Sequence, residues 1–174
     1  MNDTRPIKIA PVRKSLRVNT GQARAFDVFT AGLDRWWPKS HHIGLSEAKR
    51  VAIEPRVGGR WYELSEDGAE TTVGHILVWE PPHRFAFSWE ISADFKSDPS
   101  LGSEVEVRFI AEGEDTTRVE LEHRLFERMG AEGGTKMHDA VDRGWPGILE
   151  LFKAEAESDL RRACGAKRCG PHGS

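Results

Sequence analysis

The hydrophobic and polar positions of this chain change their period along its length. Residues 7–18 alternate loosely, which is typical of an edge strand. From 20 to 37 the apolar residues recur at helical spacing, which predicts one helix or two short ones, with a cap at Asn19 or Thr20. Pro38 ends this segment, because proline cannot continue a helix.

Six alternating segments then predict a run of antiparallel strands. They cover residues 51–53, 60–64, 71–79, 84–91, 103–111 and 117–125. In the last three segments one face is apolar, and it carries Phe85, Phe87 and Trp89, then Val105, Val107 and Phe109, then Val119, Leu121, His123 and Leu125. A sheet with one apolar face needs an element that covers this face.

The last long segment is predicted to form a helix that covers this apolar face. Residues 135–160 have apolar side chains at helical spacing, namely Met137, Val141, Trp145, Ile148 and Phe152. Pro146 interrupts this helix and is expected to kink it. The order of elements therefore predicts an α+β fold, in which a curved antiparallel sheet grips a C-terminal helix. The gap between sheet and helix can be solid or hollow.

Length and composition predict a single domain. The chain has 174 residues, which fits one domain over residues 1–159. Residues 160–174 are basic and rich in glycine, and we expect a disordered tail. Both cysteines, Cys164 and Cys169, lie in this tail, which predicts free thiols rather than a disulfide framework.

Charge and hydropathy exclude several partners. The net charge of -3 gives no basic field for nucleic acid. No run of about 18 apolar residues is present, so we expect no membrane-spanning helix. The N-terminal segment has no apolar signal core, which favours a cytoplasmic protein.

The aromatic composition raises the question of a ligand. The chain has 6 Trp and 8 Phe but only 1 Tyr, so large apolar rings predominate. Such rings either fill a core or line a pocket for a planar or hydrophobic ligand. The candidate pocket residues are Trp37, Trp61, Phe85, Phe87, Trp89, Val107 and Trp145.

Three titratable residues are candidates for chemistry in the same gap. Glu63 shares strand parity with Trp61, His75 shares it with Trp79, and His123 lies on the apolar face of its strand. A buried carboxylate near imidazoles could act as an acid–base pair or orient a ligand. The alternative is a surface glutamate and two histidines that are hydrogen-bonded within the core.

No metal site, cofactor site or nucleophile motif is predicted. His41 and His42 are adjacent and would not converge on one ion in a helix. Cys164 and Cys169 have only His172 near them, whereas zinc needs a fuller ligand set. No Gly-x-Ser-x-Gly motif occurs, so an enzyme here would have to use acid–base residues.

Several motifs together resemble those of a known superfamily. They are AFDVFT at 25–30, EPRVGGRWYE at 54–63, GHILVWEPPHRF at 74–85, TRVELEH at 117–123 and GWPG at 144–147. The chain resembles the helix-grip fold of the START and birch-pollen-allergen superfamily, SRPBCC. More narrowly, residues 8–157 resemble bacterial homologues of the C-terminal domain of the heat-shock protein 90 ATPase activator.

This resemblance implies a fold and a range of functions. It implies a seven-stranded sheet and a cavity between the sheet and the long helix. Members of the superfamily bind lipids or polyketides, cyclise aromatics or act as chaperone partners. The leading hypothesis is therefore the binding of a small hydrophobic or aromatic molecule, with no catalysis. The alternatives are a chaperone-interacting module and a cyclase- or hydrolase-type enzyme, and relatives suggest a possible homodimer.

Overall fold

The computed structural model describes residues 9–37, 48–92, 98 and 102–167 of the chain. Seven strands form one curled antiparallel sheet in the order β1-β7-β6-β5-β4-β3-β2. Their bounds are β1 Val12–Val18, β2 Ala48–Ile53, β3 Arg60–Ser65, β4 Glu70–Glu80, β5 Arg84–Trp89, β6 Ser103–Gly113 and β7 Thr116–Arg124. Helices α1 (Gln22–Phe29) and α2 (Leu33–Trp36) follow β1, and α3 (Ala131–Lys167) closes the fold. The predicted helix-grip architecture is confirmed.

The segment after β1 forms two short helices rather than one. Gly21 occupies the position before α1, and no side chain caps this helix, so the predicted cap at Asn19 or Thr20 is wrong. Thr20 is instead buried, and its carbonyl oxygen accepts a hydrogen bond of 2.8 Å from the Thr117 hydroxyl. This contact holds the start of α1 against β7.

Strand β4 contains a bulge that changes which residues face inward. The register with β5 shifts between Ile76 and Val78, and Leu77 between them is 41% exposed. A bulge reverses the alternation, because one extra residue stands opposite the partner strand. Ile76 and Trp79 therefore both face the core, although their positions differ by an odd number. His75 lies on the outer face of the sheet, away from Trp79.

Helix α3 is longer than predicted. It runs from Ala131 to Lys167 and includes Pro146 within its length, so the predicted interruption does not end the helix. Its buried positions include Met137, Val141, Trp145, Leu149 and Phe152. The helix also continues past residue 159, and the division of the chain at that point stays a prediction. Within the described residues, no helix is both long and apolar enough to cross a membrane.

The end of β7 turns sharply toward α3. Leu125, predicted to belong to the strand, has a φ of 66° in the left-handed region and lies outside β7. A 3-10 helix, Phe126–Met129, follows and places the Phe126 ring in the core. This ring lies 4.5 Å from the imidazole of His123. The turn therefore brings an aromatic cover over His123.

The outer face of the sheet carries paired charges, as the alternation of β7 predicts. Glu106 is 4% exposed and lies among the guanidinium groups of Arg84, Arg108 and Arg124, at 2.8, 3.1 and 2.8 Å. Burial raises the pKa of Glu106, but hydrogen bonds from the three arginines outweigh it and lower the pKa to about 2. Glu80 also contacts Arg84, and Glu104 and Glu122 contact Arg124, so carboxylate and guanidinium groups alternate and neutralise one another on this face.

Candidate functional site

Two aromatic clusters lie between the sheet and the helices. The first packs α1 and α3 against the sheet and consists of Phe26, Phe29, Trp36, Trp79, Phe85, Phe109 and Phe152. Phe85, predicted as a ligand residue, belongs to this cluster, and Val107 is its buried partner on β6. These two residues are part of the hydrophobic core beside α1.

The second cluster is a closed ring of contacts, which we call the aromatic circuit. Its members are Trp37, Trp61, Phe87, Trp89 and Trp145. The centroid distances along it are 4.9 Å (Trp37–Trp61), 4.5 Å (Trp61–Phe87), 6.3 Å (Phe87–Trp89), 5.8 Å (Trp89–Trp145) and 6.1 Å (Trp145–Trp37). All five were predicted from the sequence as pocket residues. One loop position, three strand positions and one helix position thus come together.

The circuit is buried to different depths around its circumference. Trp61 and Phe87 are 0% exposed, whereas Trp37 and Trp89 are each 7% exposed. The two less buried rings both contact Trp145, which lies on α3. The side chains of the circuit are in mutual contact, so this part of the gap is packed. Molecules that enter it must separate rings.

His123 is connected to the circuit by a chain of buried hydrogen bonds. The indole N–H of Trp145 donates to Nδ1 of His123 at 3.2 Å. Because Nδ1 accepts, the neutral imidazole carries its proton on Nε2, which lies 3.0 Å from Oγ of Ser103. The Ser103 hydroxyl in turn donates to the carbonyl oxygen of Trp89 at 3.4 Å. Both imidazole nitrogens are therefore engaged.

The environment of His123 keeps it uncharged. Its side chain is 0% exposed. Burial, together with the nearby charge of His138, lowers the pKa of His123 to about 3. A histidine that is neutral at pH 7 and has both nitrogens bonded is poorly suited to exchange protons with a ligand. The structure therefore places His123 as a group that orients Trp145 and Ser103.

The indole N–H of Trp89 lacks a hydrogen-bond partner among the described residues, whereas those of Trp36 and Trp145 have one. The Trp36 N–H donates to the carbonyl oxygen of Val28 at 2.8 Å, and Trp145 donates to His123. The Trp89 nitrogen is buried and has no hydrogen-bond partner within the described part of the chain. Its ring lies 5.3 Å from that of His123. The carbonyl oxygen of Trp89 therefore takes part in this hydrogen-bond chain, whereas its buried indole N–H lies beside the chain and takes no part in it.

Glu63 is buried where strand parity predicts. Trp61, Glu63 and Ser65 alternate on the inner face of β3, and Glu63 is 2% exposed. Consecutive residues on one face of a strand lie about 7 Å apart. The carboxyl group is therefore close to the Trp61 side of the aromatic circuit, and the alternative of a surface glutamate is wrong.

His75 lies elsewhere, on the outer face of the sheet. Its Nδ1 is 2.7 Å from Oε2 of Glu90, which also accepts a hydrogen bond from the Ser88 hydroxyl. Glu90 is 6% exposed and was not among the predicted site residues, although its alternation with Trp89 would have placed it opposite the rings. The imidazole contacts the carboxylate and not the hydroxyl, so this cluster does not activate Ser88 as a nucleophile.

The histidines and cysteines that were rejected as metal ligands on the basis of the sequence fall mostly outside the described residues. His41, His42, Cys169 and His172 lie there, as does the side chain of Cys164. Among the residues that the structure does describe, no group of three or more histidine, cysteine, aspartate or glutamate side chains could hold a metal ion.

Solved structures with the same fold include two that share substantial sequence identity. The anthrahydroquino-gamma-pyrone synthase Txn09 is 42% identical, over 84% of this chain and 96% of its own, with a TM-score of 0.60. CalC, a self-sacrificing resistance protein from Micromonospora echinospora, is 32% identical, over 86% and 95%, with a TM-score of 0.66. Protein NE0264 from Nitrosomonas europaea is 12% identical over 86% and 95%, with a TM-score of 0.61, and shares the fold.

A family model covers most of the described chain. No curated protein matches this sequence significantly. The family described as "Activator of Hsp90 ATPase homolog 1-like protein" matches residues 19–157, which span α1 to the middle of α3. This range includes every member of the aromatic circuit, together with Glu63 and His123. The chain therefore belongs to the family of proteins similar to the activator of the Hsp90 ATPase, within the SRPBCC superfamily.

Proposed function

We propose that this chain binds a planar aromatic molecule of the polyketide class within the aromatic circuit. The observation that carries the proposal is the meeting of five large rings from a loop, two strands and α3 in one buried cluster. The two widest contacts, Phe87–Trp89 at 6.3 Å and Trp37–Trp145 at 6.1 Å, divide the circuit into two walls. Trp37, Trp61 and Phe87 form one wall, and Trp89 and Trp145 form the other. We call the interval between these walls the slot.

The slot is closed by ring contacts in this structure and must open to admit a flat ring. Aromatic carbons pack at about 3.5 Å, so a ring held between two walls needs about 7 Å between them. The centroid distances of 6.3 and 6.1 Å at the slot join rings inclined at 44° and 70°, and tilted rings at such distances are in contact. Phe87 and Trp89 lie two residues apart on β5 and keep their spacing, so a ligand would have to enter by movement of the Trp37 and Trp145 side chains.

The relatives support an aromatic ligand. The protein that is 42% identical is named as a synthase of an anthrahydroquino-gamma-pyrone, a fused-ring product. Fused rings bury large flat surfaces, and indole rings complement such surfaces by stacking or edge contacts. The aromatic side chains of the slot are therefore suited to a fused-ring molecule of the kind that the name of this relative describes.

Fluorenone, a planar three-ring ketone, provides a direct test of binding. We expect wild-type protein to bind fluorenone in calorimetry, and Trp37→Leu to weaken binding about tenfold or more, because one wall loses a large apolar contact. Trp79→Leu is the matched control, since Trp79 packs on Phe26 and Phe85 outside the circuit. Absence of binding, or equal weakening by both variants, would contradict the slot.

A second candidate function is ring-forming catalysis, which the 42% identity to a synthase favours. Glu63 is the candidate general base, because its carboxyl group is buried on the same face of β3 as Trp61. A general base would remove a proton from the carbon next to a ketone, which then attacks a second carbonyl group. His75 takes no part, because it lies on the other face of the sheet.

Proton exchange at an aryl methyl ketone tests this candidate. We expect wild-type protein to accelerate deuterium uptake by 2-acetylnaphthalene in heavy water, followed by NMR. Glu63→Gln should lower the rate about a hundredfold or more without weakening ligand binding. Glu66→Gln, in the exposed turn after β3, is the control. No acceleration by wild-type protein, or the same rate in Glu63→Gln, would remove Glu63 as a base and leave a binding function.

Chaperone interaction, a homodimer and a cytoplasmic location stay predictions. The prediction of a chaperone interaction rests on the description of the family. On the outer face of the sheet, Arg84, Arg108 and Arg124 already contact Glu106, so these groups are not free for an acidic partner. An assay of chaperone ATPase activity with and without this chain would decide the first prediction.

A further inference from the structure

We infer that Trp89 selects ligands that carry a neutral carbonyl oxygen, to which its indole N–H donates a hydrogen bond. This inference rests on the proposed slot and adds to it the polar group that a ligand must have. It assigns a specificity role to one wall of the slot, whereas the remaining rings supply apolar contact.

The first step of the argument is the state of the Trp89 donor. The nitrogen is buried and has no partner in the described structure, although the ring is 7% exposed. Buried donors in native proteins are almost always hydrogen-bonded, and an unbonded one calls for an explanation, such as a water or a ligand. Trp89 also belongs to the slot at its widest contact, with Phe87. Trp89 therefore provides both the unbonded donor and one ring of the widest contact in the slot.

The second step is that the imidazole of His123, the ring beside Trp89, has no spare acceptor. Nδ1 of His123 accepts from Trp145, and Nε2 donates to Ser103. The Ser103 hydroxyl is directed to the backbone carbonyl of Trp89. Nδ1 of His123 has a single lone pair, so accepting from Trp89 would leave the buried N–H of Trp145 unbonded. An acceptor supplied by a bound molecule completes the set without this loss.

The third step concerns the charge of the acceptor. Glu63 is 2% exposed and lies on the same face of β3 as Trp61, which belongs to the opposite wall. A further charge is disfavoured in this buried gap, because an anion there loses its hydration. A ketone, quinone or pyrone oxygen satisfies the Trp89 N–H without adding charge, whereas a carboxylate does not. The ligand class is therefore neutral fused-ring carbonyl compounds.

Three ligands with the same ring skeleton test the inference. Fluorene has no acceptor, fluorenone has a neutral one, and fluorenone carboxylate adds a negative charge. In calorimetry with the wild-type protein, we expect fluorenone to bind about tenfold more tightly than fluorene, and the carboxylate about tenfold more weakly than fluorenone. Trp89→Phe should bind fluorene and fluorenone equally, and Trp79→Phe should keep the wild-type preference.

The outcomes separate this inference from the slot itself. Equal binding of fluorene and fluorenone by the wild-type protein would overturn the role of Trp89 and leave the slot. A preference for fluorenone that persists in Trp89→Phe would do the same, and would indicate a water or another donor. Failure of both ligands to bind would overturn the slot as well. Where Trp89→Phe does not fold, equal binding of the two ligands by the wild-type protein still overturns the role of Trp89, and so does an indole N–H signal of Trp89 that fluorenone leaves unchanged.

Discussion

Lowering the pH from 7 to 5 should destabilise the wild-type protein by about 2 kcal/mol through His123, because the pKa of this imidazole is about 3 in the folded chain and about 6.5 in the unfolded chain. The sign follows from proton binding. A lowered folded pKa means that the unfolded chain binds the proton first as the pH falls through 6.5, so unfolding is favoured. The loss continues until the pH reaches about 3.

Urea unfolding at pH 7 and pH 5 measures this effect. His123→Gln should be less stable at pH 7, since it loses buried ring contacts, but its stability should fall much less between the two pH values. His83→Gln is the control, because His83 is exposed and should keep the wild-type slope. The charge of Glu106 does not interfere, since its pKa falls from 4.5 to about 2 and it titrates below this range. An unchanged slope in His123→Gln would contradict the neutral, bonded imidazole.

Gly74→Ala should destabilise the protein by about 4 kcal/mol or more. A Cβ atom at this position would lie 1.6 Å from the carbonyl oxygen of Ser88 and 2.8 Å from its carbonyl carbon. Both are backbone atoms of the neighbouring strand, so β4 and β5 would have to separate. Gly74 is also the cross-strand partner of Trp61, and the separation would disturb one wall of the slot.

Gly147→Ala is the matched control for this substitution. It lies on the exposed face of α3, and a Cβ atom there meets nothing within 4 Å. Alanine favours the helix over glycine, so this variant should be equally stable or more stable by about 0.5–1 kcal/mol. Similar urea midpoints for Gly74→Ala and the wild-type protein would contradict the close approach of the two strands.

The sequence allowed the inward face of most strands to be predicted, because their alternation has a strict period of two. Trp61, Phe87 and Trp89 face the helix as expected, and Glu63 follows Trp61 inward. Strand β4 was different, since Ile76 to Trp79 are consecutive apolar residues that do not alternate, and the bulge at Leu77 depends on the pairing with β5. The placement of His75 was therefore wrong.

The pairing of side chains across the gap could not be predicted. Trp145 and His123 are 22 positions apart and meet only because α3 folds back over β7. That contact determines the tautomer of His123 and uses its one acceptor nitrogen, and the Trp89 N–H beside it has no partner among the described residues. Residue types alone suggested a histidine available for catalysis, whereas the hydrogen-bond geometry indicates one that orients its neighbours.

Titration of the indole N–H signals with fluorenone tests the central claim most directly. In a proton–nitrogen correlation spectrum, ligand in the slot should shift the signals of the circuit tryptophans, with the largest change at Trp89 as its N–H gains an acceptor. The signal of Trp79, which packs on Phe26 and Phe85 in the first aromatic cluster, should stay in place, whereas Trp36 contacts Trp37 and is no control. A spectrum without changes at ligand excess, or with changes confined to Trp79, would contradict binding in the aromatic circuit.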